Sequence, residues 1–200
     1  MFITVEGIEG VGKTTQIKLL EEYLKNQQID FVSTREPGGT KVCEKIREIL
    51  LHDEMSSLTE LLLYESARAE HFEAIIEVAI KNKKTVLCDR FADASIAYQG
   101  YGRGLDIKLI ETLNNIATKN TRPDLTIILD MSVEDAFERL RQRCSTLDRF
   151  EKLDKSFYQK VRTGYLELAK KDPKRVKLVN AKQSIQKMHA DIISIIAATK

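Results

Sequence analysis

Cysteine is scarce in this 200-residue chain: Cys43, Cys88 and Cys144 are widely spaced and follow no metal-ligand pattern. Neither a disulfide framework nor a zinc site is therefore expected, and a reducing, cytoplasmic setting fits. Long hydrophobic runs are also missing. No apolar stretch approaches the roughly 20 residues that span a bilayer, and residue 2 opens a strand-like run with no basic segment and apolar core before it, so neither membrane insertion nor secretion is expected. The formal net charge is only +2 and no long basic run occurs, which argues against a non-specific nucleic-acid-binding module. The short basic clusters at 81–84 and 170–175 read as solvated helix ends. Proline occurs three times, at Pro37, Pro123 and Pro173, each in a connection between regular segments. No repeat, low-complexity tract or interdomain linker interrupts the chain.

What is present is a hydrophobic content of 42%, enough in 200 residues for one domain, 1–200, with a substantial core. Short apolar runs alternate with long helical patterns, as in parallel β-α-β units. The pattern predicts strands near 2–6, 31–34, 84–88, 125–130 and 176–179. It predicts helices at about 13–27, 41–51, 57–82, 105–119, 132–143, 153–171 and 183–197. Ser57 with Glu60, and Ser132 with Asp135, have capping-box spacing at two helix starts. The expected fold class is α/β, with a doubly wound, five-stranded parallel sheet flanked by helices.

Residues 7–14, GIEGVGKT, fit G-x-x-x-x-G-K-[ST] between an apolar strand and an amphipathic helix in which Ile17, Leu20 and Leu24 recur at helical spacing. Glycines let successive backbone N–H groups turn inward on phosphate oxygens, and the helix that follows aims its positive end at the same anion. Lys13 is placed to reach the β- and γ-phosphates, and Thr14 to ligate Mg²⁺. The motif thus predicts a nucleoside triphosphate site, and with the α/β sheet pattern the expected fold is that of a P-loop NTPase.

Ligands of doubly wound sheets bind beyond the carboxyl ends of the strands, so chemistry is sought there. Arg35-Glu36-Pro37-Gly38-Gly39-Thr40 follows the second strand, with an ordinary Pro-Gly turn as the competing reading. The third strand runs into Asp89-Arg90, a Walker B-like arrangement with Asp89 available to Mg²⁺ and Arg90 to a phosphate; a structural ion pair is the alternative. Asp130, after the fourth strand, reads chiefly as a structural or helix-start acid. Arg139, Arg141, Arg143 and Arg149 cluster around a probable loop at 141–151, whereas the variable loop positions Ile8, Glu9, Gly10 and Val11 hold no arginine. A lid bearing arginines would supply the missing positive charge while excluding water. Tyr64, Arg68 and His71 share a helical face. Such a triplet taken alone is more often helix surface or core; as a base pocket, Tyr64 could stack on a base and Arg68 donate to its edge, while His71 has no assigned role.

Together these motifs resemble the thymidylate kinase family. The stretches that carry the resemblance are 2–16 (FITVEGIEGVGKTTQ), 34–40 (TREPGGT), 61–71 (LLLYESARAEH), 89–100 (DRFADASIAYQG), 123–130 (PDLTIILD) and 147–151 (LDRFE). They span most of the chain in the family's order, and the arginine-free phosphate loop with an arginine-rich lid matches the bacterial type. The resemblance implies that Gly7, Ile8, Glu9, Gly10, Val11, Gly12, Lys13, Thr14 and Thr15 hold ATP, with Arg139 near adenine beside Asn180-Ala181-Lys182. It implies that Glu9 contacts the acceptor 3′-hydroxyl, that Tyr64 stacks on thymine where the family often has phenylalanine, and that Arg68 bonds the thymine edge. Glu36, Asp89 and Arg90 would hold the acceptor phosphate and metal waters. Ser95, Tyr98 and Gln99 would line base and sugar, with Tyr98 where a ribose 2′-hydroxyl would sit, and Arg143 and Arg149 would serve the lid.

The implied activity is phosphorylation of dTMP to dTDP with ATP and Mg²⁺, in dTTP biosynthesis, by a cytoplasmic homodimer. Catalysis would rest on Lys13, Asp89, Arg90, Arg143 and Arg149. Other nucleoside monophosphate or deoxynucleoside kinases on the same scaffold, and a non-enzymatic nucleotide switch, are the alternatives.

Overall fold

The computed structural model describes residues 1–143 and 154–199, with Arg143 described by its backbone alone. Five strands, β1 (Phe2–Glu6), β2 (Phe31–Arg35), β3 (Thr85–Asp89), β4 (Leu125–Asp130) and β5 (Val176–Asn180), form one all-parallel sheet in the order β2-β3-β1-β4-β5. The central strand β1 is buried throughout, whereas the edge strands β2 and β5 alternate between covered and exposed positions. Apolar runs suit strands packed on both faces. The order reverses at β1, with β3 on one side and β4 on the other, and this switch point opens a crevice at the carboxyl ends.

Helices α1 (Lys13–Asn26), α8 (Lys155–Lys171) and α9 (Ile185–Ala198) bring Ile17, Tyr165 and Ile192 into the larger core with Ile3, Val5, Ile127 and Leu129. A smaller cluster joins Phe2, Val86 and Phe91 to Phe72 and Ile76. Helices α2 (Lys41–His52), α6 (Ile107–Ala117) and α7 (Val133–Arg143) match expected segments within two residues at the ends, and α3 (Ser57–His71) begins where a helix was expected.

Three details depart from the sequence reading. The helix expected over 57–82 changes hand-hold midway: α3 passes into a π-helical turn at Phe72–Ile76 and resumes as α4 (Glu77–Lys81). The wider turn shifts the faces of the helix, so Phe72, Ile76 and Ala79 are core whereas Leu58 and Leu62 are about half exposed. Second, the cap of α3 is Ser56, whose Oγ accepts from Thr59 N, and not Ser57. Glu60 does not reach back to the cap because its carboxylate is engaged by Gln99 and Arg103. Ser132, by contrast, caps as expected, accepting from Asp135 N.

Third, residues 92–102 are helical, as α5 (Ala92–Ser95) and a π-helical segment at Ile96–Gly102. Gly100 and Gly102 read as turn punctuation in sequence, yet they are sites of close approach. A Cβ at Gly100 would lie 2.3 Å from Ile107 Cδ1, and one at Gly102 would lie 2.7 Å from Phe157 Cε2. Helix α8 packs along this segment, and its Gly164 admits Tyr101 and the Ala97 backbone.

A buried polar cluster ties α5 to the sheet. Arg175 donates to both oxygens of Asp93, at 2.6 and 3.1 Å, and Thr126 Oγ1 donates to the same carboxylate at 2.8 Å. Removing one partner from such a pair leaves a buried charge uncompensated. Arg175→Met is expected to lower the unfolding free energy by about 3 kcal/mol or more in urea titrations. A loss below about 1 kcal/mol would mean that solvent reaches Asp93 well enough to replace the arginine.

Candidate active site

The crevice at the switch point is a cleft of about 600 Å³ that runs from the phosphate loop to Tyr64 and Gln99. Its donor end follows from backbone geometry. Gly10 has φ +81, and a Cβ there would lie 2.3 Å from Ala136 O, so the loop is seated against α7 in a way only glycine allows. Gly12 caps α1 at φ 100. Lys13 is the first helical residue, and its Nζ donates to Gly7 O and Ile8 O, both at 2.9 Å. Burial, reinforced by Arg90, lowers the Lys13 ammonium to about 8 despite the pull of Asp89, Glu9 and Glu6. Thr14 and Thr15 present exposed side chains to the same cleft.

Pairing of β1 with β3 sets Val5 opposite Asp89, which brings Asp89 and Arg90 beside the loop. Arg90 adopts φ 70, a left-handed backbone that a side-chain-bearing residue enters only under constraint. The constraint is visible: Arg90 N donates to Val5 O at 3.1 Å, and the next amide, Phe91 N, donates to Glu6 Oε1 at 2.8 Å. The guanidinium then meets Glu9 Oε1 at 2.6 Å and lies over the Tyr98 ring at 4.8 Å. Tyr98 donates to both Glu9 oxygens, at 2.8 and 2.9 Å. Burial alone would raise the Glu9 carboxyl, but Arg90, Lys13 and the Tyr98 hydroxyl together hold it below its ordinary value.

At the far end, Arg68 is buried and heavily subscribed. Its Nε donates to Glu36 Oε2 at 2.9 Å, one terminal nitrogen serves Glu65, Ser95 and Asn114, and the other donates to Phe91 O at 3.2 Å. Each terminal nitrogen carries two hydrogens, and among the described residues only one of those on the second nitrogen has an acceptor. His71, which the sequence left without a role, bridges Glu36 Oε1 at 3.0 Å and Thr34 Oγ1 at 2.7 Å. A neutral ring satisfies both contacts, with Nδ1–H donating to the carboxylate and Nε2 accepting from the hydroxyl.

Of the residues singled out from sequence, Glu9, Gly10, Gly12, Lys13, Thr14, Thr15, Glu36, Tyr64, Arg68, Asp89, Arg90, Ser95, Tyr98, Gln99 and Arg139 all line this one cleft. Gly7, Ile8 and Val11 sit behind it as buried loop residues. Beside Arg139 the wall is made by Gln183, Ile185 and Met188; the Lys182 ammonium turns instead to Asp135, and Asn180 caps the Lys182 amide. Asp130 is the structural acid expected, bonded twice by Arg162 at 2.7 and 2.9 Å. Arg149 and residues 144–151 of the expected lid lie outside the described residues, as does the Arg143 side chain.

Sequence reasoning missed Arg47, which lines the cleft between Pro37 and Tyr64 and donates to Pro37 O. Its helical-face position in α2 gave no hint, because the turn that brings Pro37 to it is a tertiary feature. It also missed Glu6, buried under the loop, where it accepts from Phe91 N and from Tyr165 Oη at 2.7 Å.

Asp89 Oδ1 is buried and, among the described residues, accepts no hydrogen bond. An oxygen left bare next to a threonine hydroxyl at a phosphate loop suits a hard divalent cation, so the residues fit Mg²⁺. A phosphate cradle, a metal-competent acid and a second anion-and-base pocket in one crevice of a parallel sheet define a P-loop phosphotransferase that acts on a small nucleotide. A sequence profile of thymidylate kinase matches residues 5–192. The chain is 47% identical over 195 residues to the thymidylate kinase of Kosmotoga olearia, covering 96% of this chain and 93% of that protein. It is 48% identical over 197 residues to the one from Thermoanaerobacter sp. strain X514, covering 98% and 96%. The crystal structure of thymidylate kinase from Ehrlichia chaffeensis superposes with a TM-score of 0.81 at 40% identity, over 98% of each chain. The chain belongs to the thymidylate kinase family.

Glu6 makes the site's pH dependence testable. Burial, the largest effect, outweighs Arg90, Tyr165 and the Phe91 amide and pushes its carboxyl from 4.5 up to about 8. Between those values the folded chain holds more protons than the unfolded one, so this contribution to stability is full below 4.5 and is lost as pH rises through about 8. The unfolding free energy from urea titrations is expected to fall across that window by up to about 1.4 kcal/mol per pH unit, relative to Glu6→Gln, which keeps an acceptor for Phe91 N. Parallel pH profiles in the two proteins would show that Glu6 does not titrate there.

Proposed function

We propose that the chain transfers the γ-phosphoryl group of ATP to the 5′-phosphate of dTMP, giving dTDP and ADP on the route to dTTP. The observation that carries this reading is the continuity of the cleft, with Glu9 and Arg90 paired where its donor and acceptor halves meet. The loop amides of Gly7, Ile8, Glu9, Gly10, Val11 and Gly12, with Lys13 and Thr15, cradle the ATP phosphates, and Arg139 covers the adenine side. Thr14 and Asp89 hold Mg²⁺, which neutralises phosphate charge when bound.

In the acceptor half, Arg90 and Glu36 frame the dTMP phosphate, Glu9 takes the 3′-hydroxyl and Tyr64 stacks on thymine. Arg68 and Gln99 address the base edge beside Ser95, and Tyr98 fills the space a 2′-hydroxyl would need. The attacking phosphate oxygen is already anionic at neutral pH, so no strong base is required. Catalysis comes from positioning and from positive charge around the transferred group, supplied by Lys13, Arg90 and the lid arginines Arg143 and Arg149.

An acceptor panel of dTMP, dUMP, dCMP, AMP, GMP and thymidine with ATP tests the substrate, and dTMP is expected to give the highest kcat/KM. A different best acceptor overturns the reading. Lys13→Ala and Arg90→Ala are each expected to lower kcat by about 10² or more with the fold retained. Near-normal turnover in either removes that residue from the mechanism.

The working form is a cytoplasmic homodimer. Helix α3 packs against both α2 and α6, and each bears an exposed apolar pair at helical spacing: Leu58 and Leu62, Val42 and Ile49, and Leu109 and Ile116. Among the described residues no helix is long and apolar enough to cross a membrane. Apolar stripes on neighbouring helices suit a second copy of the chain. Sedimentation at micromolar concentration is expected to give twice the 22.8 kDa chain mass, and a monomer would refute the dimer.

A further inference from the structure

Glu60 is a buried carboxylate, 1% exposed, that the phosphoryl-transfer scheme does not use. It sits in α3 one turn before Tyr64, and its Oε1 accepts from Gln99 Nε2 at 2.9 Å. Arg103 clamps the same carboxylate, donating from Nε to Oε1 at 3.2 Å and from its NH2 group to Oε2 at 2.9 Å. The Arg103 guanidinium in turn lies over the Phe157 ring at 4.8 Å.

An ionised carboxylate can only accept, so the amide of Gln99 has one permitted orientation: its NH2 faces Glu60 and its carbonyl faces away. Gln99 lines the cleft, and no described residue donates to its Oε1. The atom it offers a ligand is therefore an acceptor. Arg68, whose remaining N–H is a donor, lines the same end. A donor beside an acceptor matches the edge of thymine or uracil, where a carbonyl adjoins an imide N3–H. Cytosine presents the opposite pair, an amino group beside a bare N3, and would set lone pair against lone pair at Gln99.

We propose that Glu60, held in place by Arg103, is a positioning residue that fixes the amide polarity of Gln99 and thereby selects imide-bearing pyrimidine nucleotides against cytosine nucleotides. This rests on the reading of the Tyr64–Gln99 end as the base pocket. Glu60 touches no substrate atom; it acts by forbidding the flipped amide, which would present NH2 to the cleft and suit cytosine N3. The neutral, isosteric Glu60→Gln side chain can turn its own NH2 toward Gln99, which permits the flip.

The test compares kcat/KM for dTMP, dUMP and dCMP in the full-length wild type, Glu60→Gln, Arg103→Met and Gln99→Leu, with thermal unfolding of each and the KM for ATP. In Glu60→Gln the dTMP-to-dCMP ratio is expected to fall at least about tenfold, equivalent to about 1.4 kcal/mol. The dUMP value should move with that for dTMP, and the KM for ATP should stay unchanged. A merely structural role for Glu60 would lower all three acceptors together. A folded Glu60→Gln with an unchanged ratio overturns the proposal. If that variant does not fold, Arg103→Met decides: with its clamp removed, the Glu60 carboxylate is no longer fixed against the Gln99 amide, so the ratio should fall there too, and an unchanged ratio overturns the proposal. Gln99→Leu separates the two layers. It is expected to reduce kcat/KM for dTMP by about 10² because it removes the acceptor for N3–H. An intact value overturns the base-pocket reading together with the proposal, whereas a large loss alongside an unchanged ratio in Glu60→Gln overturns the proposal alone.

Discussion

The pair between Glu9 and Arg90 closes a separation of 81 residues and holds the two halves of the cleft in register. Arg90 can make it only because its backbone is kept in the left-handed region by Val5 O on one side and by the Glu6 carboxyl, through the Phe91 amide, on the other. Such strain, of order 1–3 kcal/mol, persists where surrounding contacts over-determine it. The end of β1 thus does two things at once: it launches the glycine-rich loop and it fixes the backbone of Arg90 at the cleft. Tyr98 completes the arrangement by sharing its one O–H between the two Glu9 oxygens while its ring carries the guanidinium.

Behind the acceptor pocket the molecule buries charge on purpose. Arg68 is surrounded by Glu36, Glu65, Ser95, Asn114 and the Phe91 carbonyl, and His71 ties Glu36 to β2. Burial works against the charge of the arginine, but Glu36 and Glu65 more than offset it. A well-packed apolar replacement would often be as stable, so the arrangement is better understood as preorganisation: a donor fixed from several sides needs no reordering when a base arrives. Glu60 and Arg103 do the same for Gln99 from the opposite wall.

The fold was legible to within a residue or two at most element ends because its signals are local: apolar runs of five or six residues, helical spacing, and a loop whose glycines have one purpose. The misses share one cause. The segment at 92–102 contains Gly100 and Gly102, which locally signal turns, and only the neighbouring side chains of Ile107 and Phe157 show why glycine is needed inside a helix. Ser57 with Glu60 had capping-box spacing, but Glu60 is committed to partners about 40 residues away and Ser56 caps instead. Arg47 carried no motif, and Glu6 and His71 drew no role from theirs, because their partners come from other elements.

By itself the sequence determined the class of chemistry. G-x-x-x-x-G-K-T after a strand, an acid and arginine after another, and Tyr64 with Arg68 on one helical face specify a triphosphate site and an anion-and-base acceptor site, since each depends on spacing along a few residues. Tertiary structure decided which charges are paired and which are left to act. Among the described residues it gives Asp130 to Arg162 and leaves Asp89 Oδ1 without a donor, and it turns Lys182 to Asp135 while one N–H of Arg68 and the Gln99 carbonyl stay unpaired at the cleft. A side chain's partners are set by strand order and helix packing, and no local pattern encodes those contacts.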